Sequence, residues 1–62
     1  MSISNGLTIA ERAVIASLDA NQREFFEERA AIIEEGDRVP RIDAERRALL
    51  LTCQWFGLPS PS

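Results

Sequence analysis

The sequence predicts an all-α fold, a small three-helix bundle or hairpin with helices over about 8–18, 20–35 and 41–56, and three observations predict it. Apolar residues recur at helical spacing along most of the chain. Side chains that cap helix starts stand ahead of those runs, and glycine and proline cluster at two places only, Gly36 to Pro40 and Gly57 to Pro61.

Thr8 followed by Glu11 has the spacing of a capping box, in which each side chain satisfies a backbone donor at a helix start. A first helix from Thr8 to Leu18 follows. Asp19 with Gln22, or Asn21 with Glu24, offers a second start. No glycine or proline lies between Leu7 and Glu35, and Leu7, Val14, Leu18, Phe25 and Ile32 stay in phase, so one long helix competes with two. The capping residues at Asp19 to Asn21 favour a break. Gly36 is expected to stop the second helix after Glu35. Pro40 suits the first position of a third helix, which Gly57 and Pro59 end. Residues 1–62 form one domain, with flexible arms expected over about 1–6 and 58–62.

A domain of 62 residues buries only about 60% of the surface its unfolded chain exposes, so its stability is marginal. Cys53 is the only cysteine and there is no histidine. An internal disulfide is therefore excluded, a metal site would have to rely on carboxylates, and help from a second copy or a partner is the remaining route to stability. No cofactor or metal is expected. No apolar stretch approaches the about 18 residues of a membrane span, and the opening residues lack the order of a secretion signal, so a cytoplasmic location without membrane contact is expected.

The net charge is −3, which argues against general binding to nucleic acid. Its distribution is uneven: residues 19–37 hold seven acids against two arginines, and residues 38–62 hold four arginines against two acids. The two halves can pair within the chain or across a dimer. Every basic residue is arginine, suited to fixed bidentate contacts.

On the second helix Leu18, Gln22, Phe25, Phe26, Ile32 and Ile33 share a face, with Arg29 at its centre. A guanidinium there must reach the edge or meet a carboxylate, and a structural ion pair of Arg29 with Glu45, or with Asp43, is expected. The third helix has two apolar stripes. Ile42, Leu49, Leu50, Cys53 and Phe56 form one, and Ala44, Ala48, Leu51 and Trp55 lie nearly opposite. One stripe can face the core; the other is either used by three helices wrapped tightly together or is an intermolecular interface, which is the reading favoured for Ala44, Ala48, Leu51 and Trp55.

Without histidine, Ser–His or Cys–His catalysis is excluded, and the isolated glycines form no phosphate-binding loop. The acids of the second helix read as a solvated face, Cys53 as a core thiol, and the chain as no enzyme. Arg41, Arg46 and Arg47 surround the start of the third helix, where a helix-turn-helix regulator places contacts to DNA. Asp43 and Glu45 would meet phosphate with the wrong sign, which leaves nucleic acid the lesser candidate partner and protein, either a second copy or a larger protein, the first.

The segment Phe26-Glu27-Glu28-Arg29-Ala30-Ala31-Ile32, followed by Pro40-Arg41, Ala44-Glu45-Arg46 and Ala48, resembles a short helical-hairpin element of proteobacterial phage and plasmid proteins. The resemblance covers about a third of the chain. It implies a mobile-element accessory protein, inhibitor or regulator, and a hairpin pairing the helix of Arg29 with that of Glu45. The element brings no biochemical activity with it. Its turn contains adjacent glycines, where this chain has Gly36-Asp37-Arg38.

Overall fold

The computed structural model describes residues 6–61 and holds three helices: α1 over Ile9–Ser17, α2 over Ala20–Asp37 and α3 over Arg41–Phe56. The expected arm over 1–6 lies outside the described residues except for Gly6. The expected Thr8–Glu11 capping box is formed, and of the two second starts the sequence offers, Asp19 with Gln22 is the one used. The Thr8 side chain accepts from the Glu11 amide at 3.0 Å and Glu11 Oε1 accepts from the Thr8 amide at 2.8 Å. Asp19 and Gln22 make the same reciprocal pair at 2.8 and 3.0 Å. The second box makes the break between α1 and α2 real, because Leu18 and Asp19 are extended and cannot carry a helix through.

Two of the carbonyls left over at the end of α1, those of Val14 and Ile15, are answered locally. The amide of Leu18 donates to the Ile15 carbonyl at 3.2 Å, Arg23 Nη2 donates to the same oxygen at 3.1 Å, and Ser17 Oγ donates to Val14 at 2.8 Å. Arg23 thereby ties the first turn of α2 to the last turn of α1.

Gly36 does not stop α2, which runs on to Asp37 and ends with Arg38 in the left-handed region at φ 54°, ψ 42°. The stop falls there because Val39 precedes Pro40 and is held out of the helical region, so the chain must reverse just before it. Pro40 itself is the residue before the first turn of α3 and not its first member. A left-handed arginine is strained by its Cβ where glycine is not. Arg38→Gly is expected to raise stability by about 1 kcal/mol, read as a higher urea midpoint at unchanged slope; a lower midpoint would mean the Arg38 side chain contributes more than its backbone loses.

The core is the α2/α3 hairpin with α1 laid against it. Leu18, Phe26, Ala30, Ala48, Leu49 and Cys53 form a buried cluster, and Val14, Ile15, Ile33 and Leu58 pack on its edge. Ala30, Ala44 and Ala48 are 0% exposed, so the closest approach of α2 and α3 runs along small side chains. Ala44 and Ala48 were expected on an outward interface; instead they let α2 of the same chain in. Thr52, also 0% exposed, is compatible with this seam because its hydroxyl donates to the Ala48 carbonyl at 2.7 Å.

At the far end Gly57 takes φ 70°, and the amides of Gly57 and Leu58 both donate to the Cys53 carbonyl, the latter at 2.8 Å. This brings Leu58 back onto the core. Gly6, at φ 85°, lies where a Cβ would come within 3.2 Å of Ile42 Cγ1.

Candidate interaction surface

The buried line of α2 runs through Phe26, Ala30 and Ile33. At about 100° per residue Arg29 lies roughly 70° round from it, at the boundary with solvent. The expected Arg29–Glu45 ion pair is therefore not made: Glu45 accepts from Arg41 Nε at 3.0 Å, and the Arg29 guanidinium sits 5.2 Å from the ring centroid of Phe25, one turn back on its own helix. A cation over an aromatic face at the rim needs no buried carboxylate.

Phe25 is the centre of an aromatic cluster that joins the start of α2 to the end of α3. Trp55 stacks on it with centroids 5.9 Å apart and planes 13° apart, and Phe56 meets it edge-on at 5.6 Å and 86°. Phe25, Arg29, Leu51, Gln54 and Trp55 line an open groove of about 330 Å³. Trp55 is 73% exposed, Ile32 53%, Leu51 42% and Phe56 37%. The largest side chain of the protein thus lies mostly in water with only one ring to lean on. Of the four residues expected to form the outward stripe, only Leu51 and Trp55 are at the surface. Phe25 and Arg29, on the other helix, complete the patch in their place. The exposed Leu50, at 44%, belongs to a different side of α3.

Arg41, Arg46 and Arg47, the candidate contacts to an anion or nucleic acid, are each engaged with a carboxylate. Arg41 bonds Glu34 at 3.1 Å and Glu45 at 3.0 Å, and Arg47 bonds Asp37 at 3.0 Å. The acidic middle and basic rear of the sequence thus pair within the chain, across the α2/α3 hairpin. These exposed pairs contribute little stability each, typically about 0–1 kcal/mol.

Arg46 is different in kind. Its Nε donates to Glu11 Oε2 at 2.8 Å and its Nη2 donates to Glu11 Oε1 at 3.2 Å and to the Gly6 carbonyl at 2.7 Å. Glu11 is 9% exposed, and the Arg46 guanidinium, followed by the Thr8 amide, holds its carboxyl below the usual carboxylate range against the opposing effect of burial. One carboxylate thus closes the α1 capping box and fastens α1 to α3.

A second hollow, of about 400 Å³, lies between the three helices over Leu7, Ile15 and Phe26. It is larger than the aromatic groove and is lined by three arginines, of which Arg23 donates to a carbonyl and Arg41 to carboxylates. The aromatic groove leaves the large apolar side chains Trp55 and Leu51 exposed and is the better candidate.

Cys53 is buried, and burial pushes its thiol up, away from the reactive thiolate. Among the described residues no group of three or more His, Cys, Asp or Glu is placed to hold a metal ion, and no helix is long and apolar enough to cross a membrane.

The geometry defines a class, a small all-α three-helix bundle with an exposed aromatic surface. No protein-family model matches the chain, and no curated protein or solved structure matches it.

Proposed function

We propose that the chain is a non-catalytic protein–protein interaction module that binds through the Phe25, Leu51 and Trp55 surface. The observation that carries this reading is Trp55, 73% exposed and stacked on Phe25. An exposed tryptophan beside a second aromatic ring is the kind of anchor that dominates interface energetics. The partner is a second copy of the chain or a larger protein, met in the cytoplasm. The likeness of residues 26–48 to a phage and plasmid hairpin element supports an accessory role on a mobile element, with inhibition or regulation of a host protein as its concrete form. A DNA-binding regulator using Arg41, Arg46 and Arg47 is the weaker proposal, because those arginines would first have to leave Glu34, Glu45, Glu11 and Asp37.

Trp55→Ala tests the surface. Binding to the physiological partner is expected to weaken by at least about 30-fold, the scale of a hot-spot truncation of 2 kcal/mol. The helical signal at 222 nm should be unchanged. Partner binding at wild-type strength in this variant would remove Trp55 from the interface.

A further inference from the structure

Resting on the interaction-module reading, we infer that the partner at this surface is a second copy of the chain, packed with its α2 antiparallel to the first about a two-fold axis that passes between Glu28 and Arg29. The starting point is Arg29. Its neighbours at helical spacing are Phe25, Phe26, Ile32 and Ile33, all apolar, and its groove is lined by Leu51, Gln54 and Trp55, which carry no charge. It makes no ion pair among the described residues. The adjacent Glu28 is exposed, also makes none, and has Glu24 one turn before it. An exposed cation set in an apolar patch beside an unmatched anion is a half-pattern that its own copy completes.

An isologous contact requires each residue to find a complement that finds it in return. On the outward row of α2, an antiparallel copy centred between 28 and 29 sets Glu28 against the second copy's Arg29, Arg29 against its Glu28, Phe25 against its Ile32 and Ile32 against its Phe25. Two ion pairs thus lie at the centre, with an apolar contact on each side. The next turn out sets Asn21 opposite Gly36. Gly36 lies inside the helix, where glycine is about 1 kcal/mol worse than alanine, and a Cβ there would meet nothing within 4 Å. The missing side chain leaves room for a second backbone.

The row from Asn21 to Gly36 is about 22 Å long, and Leu51 and Trp55 widen it on the α3 side. The lower end of specific interfaces, about 600 Å² per partner, is roughly a seventh of the 4147 Å² surface. The contact also covers Trp55, Ile32 and Leu51 together, which supplies the burial that so small a core lacks.

Sedimentation equilibrium on the full chain, from about 1 to 500 µM, tests this through charge reversal. The wild type should reach twice its 6.9 kDa chain mass. Glu28→Arg alone and Arg29→Glu alone each bring like charges together and should raise the dimer Kd at least tenfold. The double variant Glu28→Arg/Arg29→Glu should return it to within about threefold. Both residues are exposed, so circular dichroism should report the same fold throughout. Restoration in the double variant cannot come from the Arg29–Phe25 contact, which that variant also lacks. A wild type that stays monomeric to 500 µM overturns the proposal, while the interaction-module reading then still faces the Trp55→Ala test with a different partner. A dimer indifferent to both reversals but lost in Trp55→Ala overturns the α2 seam and keeps the aromatic surface.

Discussion

Leu49→Ala is expected to lower stability by about 2–4 kcal/mol. Leu49 is 1% exposed and, with Phe26 and Leu18, supplies most of the apolar volume of a core otherwise built from alanines and Cys53. Truncation removes the transfer term and leaves a cavity that the small neighbours Ala30 and Ala48 cannot fill. Domains of this length have a total of about 3–9 kcal/mol to lose, so the loss is a large share of it and should lower the melting temperature by about 10–30 °C. The adjacent Leu50, 44% exposed, is the internal control: Leu50→Ala should change stability by under about 1 kcal/mol. Urea titrations followed at 222 nm measure both. Equal effects of the two substitutions would mean that α3 is rotated from the orientation described.

Glu11→Ala should be the most disruptive change of a charged residue, about 1–2 kcal/mol, because it removes half of a capping box and the carboxylate bonded to Arg46 at once. The pH dependence follows from the same contacts. The Glu11 carboxyl titrates below its ordinary value near 4.5 in the folded chain, so at acidic pH the folded state binds fewer protons than the unfolded one. The stabilisation is present in full above that ordinary value and is lost as pH falls through the lowered one. Glu11→Gln keeps an oxygen for the Thr8 amide but nothing that titrates. Its stability should fall less steeply than that of the wild type as pH drops below the ordinary value of 4.5. An identical acid limb in the two proteins would place the proton uptake on other carboxylates.

The local chemistry of the chain was legible without the structure. Thr8 with Glu11, Asp19 with Gln22 and Gly57 mark helix ends because their bonds join residues three to five apart, and sequence spacing alone decides whether such bonds can form. Position 36 misled because glycine permits a helix stop without requiring one, and the real constraint came from Pro40 acting through Val39. The hairpin pairing of the helix of Arg29 with that of Glu45 was also anticipated, although the two side chains do not meet.

What only the tertiary structure decided is the rotation of each helix about its axis and the pairing of distant charges. The apolar residues of α3 make up nine of its 16 and form two nearly opposite stripes, so more than one rotation buries similar area. Packing chose the one in which Ala30, Ala44 and Ala48 bring two backbones together. That choice turned Ala44 and Ala48 inward, carried Arg29 to the rim and set Phe25 under Trp55. Arg46 found Glu11, 35 residues away, because α1 lies across the start of α3. By itself the sequence determined the helix ends at Thr8, Asp19 and Gly57 and the absence of histidine. Which of its apolar side chains are left facing a partner depended on close packing between helices, a property of their summed shapes that spacing along one chain does not carry.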